Sequence, residues 1–312
     1  MNYLILNQLG TPETYSPKSV GKYLAEFLMD ANVIPIRRPL RDLIVKVGIV
    51  PLRSAKSAKK YESVWTEGGS PLMVNTIKLQ KKLQDLLGHD WKVIVGMRYS
   101  TPSMQQALDQ ITTSDPNDRI YFMPLYPHYA QATVYSSVER LEQLNKNAQR
   151  KISIIEPFYD KAWYNKAQSQ IIKDRLQPKQ HLLLSYHGLP ISQEVHAGIS
   201  YQKQCLETSK MIQNELGLKD DQISSAFQSR VGLKKWLSPS TEDTMQALAA
   251  KGIKHLAVAC PSFVADCLET IEEIGMELNE NFIHAGGESF ELIPCLNDHD
   301  LLIEGILTEG RP

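Results

Sequence analysis

From end to end of this chain, short runs of aliphatic and β-forming residues alternate with longer stretches of helical periodicity, and that alternation leaves few folds open. It calls for parallel strands joined by crossover helices, an α/β architecture. Eight runs read as strands: Tyr3–Leu6, Lys92–Val95, Arg119–Met123 and Lys151–Ile155, then His181–Ser185, Gln222–Phe227, His255–Ala259 and Glu291–Pro294. The two sets resemble each other. YLILNQLGTP echoes LLLSYHGLPI, VIVGMR echoes SSAFQSR, and RIYFMPLYP echoes KHLAVACPS. The expectation is two tandem Rossmann-like domains, each built on a mostly four-stranded parallel sheet flanked by helices. Residues 1–160 form the first, 161–296 the second, and a final helix in 297–312 packs back on the first. Ser16-Pro17, Thr101-Pro102 and Ser238-Pro239 each read as a hydroxyl cap followed by proline at the first helical position.

Bulk properties exclude several classes. A formal net charge of -1 over 312 residues gives no electrostatic case for nucleic acid. No apolar run approaches the ~20 residues of a membrane span. MNYLILNQLG runs straight into the first strand without the pattern of a signal peptide. The four cysteines, Cys205, Cys260, Cys267 and Cys295, form no C-x-x-C pair, so neither a zinc nor a redox motif is signalled. Scattered thiols of this kind fit a reducing, cytoplasmic setting.

The stretch Ala257–Glu277 carries the sharpest chemical signal. An apolar strand ends at Pro261, the chain turns at Ser262-Phe263, and a helix begins near Asp266. Glu269, Glu273 and Glu277 follow at i, i+4 and i+8, a row of carboxylates along one helix face. Like charges so placed repel by roughly 0.2–0.5 kcal/mol per pair. Such a row is either a solvated acidic face or a ladder that passes protons or a divalent cation. Its start lies near the carboxyl edge of a sheet, where ligands of open α/β sheets bind.

Of the eight histidines, His187 stands out. It follows the strand LLLSY and precedes Gly188-Leu189-Pro190, at a strand end equivalent to that leading to Glu269. A lone loop histidine is more often structural than catalytic. An imidazole facing a carboxylate can, however, share proton removal or metal capture. Aromatic residues and arginine recur at this edge: Tyr61, Arg98, Tyr99, Tyr126, Tyr129, Trp236 and Phe263. That lining suits a large flat ligand with anionic groups at its rim. The turn Gly68-Gly69-Ser70-Pro71 offers backbone amides to a carboxylate, and no phosphate-loop pattern is present.

Residues 32–53, NVIPIRRPLRDLIVKVGIVPLR, have a different character. Aliphatic residues alternate with Arg37, Arg38, Arg41, Lys46 and Arg53, and Pro35, Pro39 and Pro51 break the segment into short pieces. It fits either an amphipathic helix packed on the core or the surface of an anionic bilayer.

Taken together, NQLGTPE, YLAEFLMD, YESVWTEGGSPL, GMRYSTPS, PLYPHYAQATVYSS, SYHGLP, FQSRVGLKKWLSPSTEDT and CPSFVADCLET occur in an order that resembles the ferrochelatase family over nearly the whole chain. The resemblance implies a lyase that inserts ferrous iron into protoporphyrin IX to give protohaem, the last step of haem biosynthesis. It implies His187 and Glu269 as active-site and metal-contacting residues, with Glu273 and Glu277 as a proton or metal path. Leu9, Tyr61, Ser70, Arg98, Tyr126, Trp236 and Phe263 fall where the family lines its porphyrin pocket. Some relatives carry histidine where this chain has Cys267. Leu9 stands where relatives acting on coproporphyrin carry tyrosine, so the chain resembles the protoporphyrin type, in which the 32–53 segment touches the membrane. The expected setting is then cytoplasmic, with peripheral contact at the inner membrane face. Ferrous iron is expected as substrate rather than cofactor, and no 2Fe–2S cluster is expected, since no cysteine follows Cys295. A cobalt-inserting tetrapyrrole chelatase and a non-catalytic porphyrin or haem carrier are the alternatives.

Overall fold

A computed structural model describes residues 1–112, 118–230, 232 and 234–309. The chain divides into two units. The first comprises Met1–Leu125, Gln131–Glu156 and the tail from Ile306; the second comprises Tyr126–Ala130 and Pro157–Gly305.

The first unit is built on β1 (Asn2–Gln8), β2 (Trp91–Met97), β3 (Ile120–Pro124) and β4 (Ile152–Ile154), in the spatial order β2-β1-β3-β4. All three pairings are parallel. The second holds β5 (His181–His187), a hairpin of β6 (Val195–His196) and β7 (Ile199–Ser200), then β8 (Ile223–Gln228), β9 (His255–Ala259) and β10 (Ser289–Leu292). Its main sheet runs β10-β9-β5-β8, again with every pairing parallel. The two sheets therefore share one topology: first strand central, second on one flank, third and fourth on the other. The last strand begins two residues earlier than the sequence indicates, at Ser289 rather than Glu291, because its register is set by pairing with His255–Val258.

Burial on both faces explains the near-continuous apolar runs. On β5 and β9, Leu182, Leu184, Tyr186, Ala257 and Ala259 enter one core cluster, while Leu183, Leu256 and Val258 enter the other. In the first unit Tyr3, Ile5, Ile94, Ile120 and Phe122 pack together against Met104, Leu108 and Leu141. Each large apolar side chain so buried contributes roughly 1.5–3 kcal/mol.

Local signals hold in part. Ser16 caps the helix Pro17–Leu28 and accepts from Ser19 N, with Pro17 in its first turn. The other two hydroxyl-proline pairs do not start helices. Thr101-Pro102 and Ser238-Pro239 are cis peptides, and the helices begin at Met104 and Thr241, capped by Ser103 and Ser240. The prolines instead offer their carbonyls to the ends of β2 and β8, to Met97 N at 2.7 Å and Phe227 N at 3.0 Å. These matched contacts align the repeats, so that Leu9-Gly10 in the first corresponds to His187-Gly188 in the second. Both glycines are required. A Cβ on Gly10 would lie 1.8 Å from Tyr99 O, and one on Gly188 would lie 2.4 Å from Gln228 O.

Residues 38–64 are not in short pieces. Helix Arg38–Asp42, a π-helical run Leu43–Ile49 and helix Val50–Val64 follow one another without a break. Pro51 has no N–H for the carbonyl four residues back, and its ring would clash with that carbonyl; the wider π turns beside it absorb both problems. Two further π segments are Gln131–Tyr135 and Glu269–Leu278.

Candidate active site

His187 is the last residue of β5, and the register Leu184↔Ala259 sets the end of β5 beside the end of β9. The segment leaving β9 therefore runs alongside the histidine. Ser262 Oγ accepts from His187 N at 2.9 Å, and the Phe263 ring meets the imidazole edge-on with centroids 6.0 Å apart. On the following turn, Leu237 N donates to Leu189 O and Trp236 pairs with Pro190, which brings Trp236 to the same turn.

Glu269 opens the π-helical run, which follows Leu268, two residues past Asp266. Asp266 serves as the anchor before it. Its carboxylate accepts from Thr270 Oγ1, Cys295 N and Asn297 Nδ2 at 3.1, 3.2 and 2.7 Å. Inside the run, Gly275 lets the helix close on β10, since a Cβ there would meet Leu292 at 2.9 Å. π geometry adds a residue per turn, so Glu269, Glu273 and Glu277 still fall near one face. Glu269 and Glu273 are half-buried and Glu277 is exposed. Cys267 Sγ donates to Glu269 Oε2 at 3.0 Å, and Ser229 Oγ donates to Glu273 Oε2 at 2.7 Å. Behind them, Gln228 donates to Glu269 O at 3.3 Å and accepts from Ser185 Oγ at 2.7 Å.

Burial pulls the His187 pKa below the ordinary histidine value, and the charge of Glu269 pushes it back part of the way. The imidazole is thus neutral at neutral pH, with a nitrogen lone pair for a proton or a metal ion. Cys267 stays a thiol, because burial and the Glu269 charge raise its pKa well above the usual range.

Other sequence-predicted residues are placed differently. Arg98 is held inside the first unit: Nη2 pairs with Asp30, and Nε donates to Ser136 O and Oγ at 3.1 and 2.8 Å. Asp30 also accepts from Tyr99 Oη at 2.8 Å, Ser136 Oγ at 2.6 Å and Asn32 N at 2.8 Å. Burial raises the Asp30 pKa, but these bonds and the Arg98 charge outweigh it and leave the carboxyl below its ordinary value. Ser70 caps the helix Pro71–Leu87 through Met73 N and is 2% exposed. The Gly69 amide donates to Thr66 O, so it is not presented to a ligand. Tyr61 and Tyr126 are buried, and Leu9 is half-buried at the end of β1. Two further residues hold the His187 turn: Tyr201 Oη donates to His187 O at 2.9 Å, and Ser262, which the sequence marks only as a turn, accepts from His187 N. Nothing in the local pattern marks Tyr201, because its partner lies fourteen positions earlier in the chain.

Comparison with known proteins identifies the family. The family model described as Ferrochelatase matches residues 3–309. A ferrochelatase of Legionella pneumophila (strain Philadelphia 1) is 40% identical, with 97% of this chain and 96% of the relative covered. One of Coxiella burnetii (strain Dugway 5J108-111) is 37% identical over 97% of this chain and 91% of the relative. Among solved structures, the sirohydrochlorin chelatase SirB from Bacillus subtilis subspecies spizizenii in complex with cobalt has a TM-score of 0.55 at 11% identity. The alignment covers 100% of this chain and 94% of that one. SirB from Bacillus subtilis with Fe3+ gives a TM-score of 0.52 at 12% identity, covering 100% and 95%. At such identity these structures speak for the fold, whereas the full-length family match and the relatives' identity establish that the chain belongs to the ferrochelatase family.

Proposed function

We infer that the chain inserts ferrous iron into protoporphyrin IX to form protohaem, the closing step of haem biosynthesis, and that His187 and Glu269 carry the reaction. Family membership supports the activity. The observation that carries the residue assignment is the placement of His187 at the end of β5, beside the end of β9, whose following segment bonds to the His187 amide and leads into Glu269 at the head of the π-helix.

A free-base porphyrin holds two inner N–H protons, and its planar ring shields the nitrogen lone pairs from an approaching ion. Gripping the rim and bending the ring exposes them, at a strain of roughly 1–5 kcal/mol supplied by binding energy elsewhere. His187 takes a proton or touches the entering ion, Glu269 is its partner, and Glu273 and Glu277 lead toward solvent. The faces of Trp236 and Phe263, at the turn that carries His187, meet the macrocycle. Arg98 and Ser70 support the fold around the substrate. The aliphatic Leu9 fits protoporphyrin, whose vinyl groups are apolar, better than coproporphyrin, which carries two more carboxylates.

Residues 32–53 dock on the surface of an anionic bilayer in this reading. Leu43, Val47 and Leu52 are 58%, 68% and 80% exposed, more than a packed amphipathic helix needs. Their basic neighbours are partly committed elsewhere: Arg41 donates to Ile34 O and Ile36 O, and Arg38 and Lys46 both pair with Asp42. Apolar insertion therefore dominates charge in the docking. Among the described residues, no helix is long and apolar enough to cross a membrane.

The deciding experiment follows protohaem formation anaerobically by absorbance, from ferrous iron and protoporphyrin, with coproporphyrin and cobalt in comparison. His187→Ala and Glu269→Gln abolish insertion while porphyrin quenching of protein fluorescence still titrates. Near-normal turnover in either variant removes that residue from its role.

A further inference from the structure

The backbone of His187 is held in an unusual way. Its N–H donates to Ser262 Oγ at 2.9 Å, and its carbonyl accepts from Tyr201 Oη at 2.9 Å. The two peptide groups that flank its Cα are thus each bonded to a side-chain hydroxyl, Ser262 as acceptor and Tyr201 as donor.

The first repeat shows what this replaces. At Leu9, the counterpart of His187, the carbonyl accepts from the backbone N–H of Tyr99 at 2.8 Å, an extension of the sheet ladder. At His187 the corresponding ladder has moved on, and Gly188 N donates to Gln228 O instead. At the carbonyl, the repeat that carries the histidine has a tyrosine hydroxyl where the first has a backbone amide, and its amide is bonded to a serine hydroxyl. They come from separate elements: Tyr201 from the first turn of the helix Tyr201–Leu216, and Ser262 from the segment after β9. Tyr201 is 4% exposed and packs edge-on against the buried His128 at 5.9 Å, so its own position is fixed.

We propose that Tyr201 and Ser262 are positioning residues that aim the His187 imidazole, by locking the peptide groups on both sides of its Cα. The proposal rests on the role assigned to His187 above. Reaction geometry is sensitive: a misplacement of about 1 Å costs about 10²-fold in rate.

The test measures kcat, KM for protoporphyrin, porphyrin affinity by fluorescence quenching, and melting temperature. The variants are Tyr201→Phe, Ser262→Ala, Ser262→Thr and the pair Tyr201→Phe with Ser262→Ala, with His187→Ala as reference. Either single loss lowers kcat about tenfold or more while KM and porphyrin affinity stay within about twofold. Ser262→Thr keeps a hydroxyl and restores most of kcat. The double variant costs at least as much as the worse single, because the two bonds hold different peptide groups of the same residue. Full kcat in both single variants, beside an inactive His187→Ala, overturns the positioning role and leaves His187 in place. Equal losses in Ser262→Ala and Ser262→Thr also overturn it, since the hydroxyl is then irrelevant. Should Tyr201→Phe not fold, the serine pair decides alone. Full activity in His187→Ala overturns both readings together.

Discussion

Cys267 and Glu269 are joined by a thiol hydrogen bond, Sγ to Oε2 at 3.0 Å. The donor lies two residues before the carboxylate and is buried, while the acceptor is half-buried at the head of the π-helix. A thiol is a weak donor, worth about 0.5–1 kcal/mol here. Cys267→Ala should therefore slow insertion about two- to fivefold, and steady-state kcat checks it. Cys267→Ser, with a stronger donor on a shorter arm, should stay closer to the parent. A loss as deep as that of Glu269→Gln would mean that the thiol takes part in the chemistry itself.

Arg98 and Asp30 form an ion pair inside the first unit, 14% and 7% exposed at their side chains. Removing one partner of such a pair leaves an uncompensated charge and costs about 3–5 kcal/mol. Arg98→Ala should lower stability by that amount in urea unfolding. Arg98→Lys should recover little of it, because a point charge cannot reach Ser136 and Asp30 together as the guanidinium fork does. Porphyrin affinity of the folded fraction should change less than threefold. A large affinity loss at unchanged stability would instead assign Arg98 to the substrate.

His128 is 2% exposed, ringed by Tyr159, Tyr186 and Tyr201, with Thr208 Oγ1 at 3.0 Å from Nε2. Burial lowers its pKa from 6.5 to about 3. Between those values the unfolded chain binds a proton that the folded protein refuses, so stability falls as pH falls and is level above the unfolded pKa. The slope from this one group approaches about 1.4 kcal/mol per pH unit in the middle of the window. Denaturant titrations from pH 7 to 4 should show that slope reduced in His128→Gln. An unchanged slope would place the acid sensitivity in other groups.

Leu43, Val47 and Leu52 present exposed aliphatic surface along the run from Leu43 into Val50–Val64. Replacing all three by asparagine should cut binding to vesicles of anionic lipid about tenfold or more in co-sedimentation, since each buried CH2 is worth about 0.8 kcal/mol. Turnover with detergent-solubilised porphyrin should stay within twofold. Added salt should weaken parental binding only modestly, because Asp42 already neutralises part of the basic charge.

Eight strands, their order along the chain and the likeness of the two halves were readable because parallel strands buried on both faces leave short apolar runs rich in β-branched and aliphatic residues between helical stretches. The row Glu269, Glu273, Glu277 and the isolated His187 were readable for a related reason: charge spacing and strand-end position are properties of neighbouring residues. The hidden features depend on residues distant in sequence. The Thr101-Pro102 and Ser238-Pro239 pairs look like helix starts, and their carbonyls turn out to close the ends of β2 and β8. Arg98 reads as an anion anchor in the sequence, and nothing near it marks Asp30, sixty-eight residues away, as its partner.

The order of chemical groups along the chain thus determined the strands, the acidic row and the family to which the protein belongs. Tertiary structure decided which of those groups are spent on the protein itself. Hydrogen bonds and ion pairs act over about 3 Å, and no local pattern records which distant partner will fill that gap. For that reason the partners of Arg98 and Ser70, and the contact of Tyr201 with His187, are legible only in the fold.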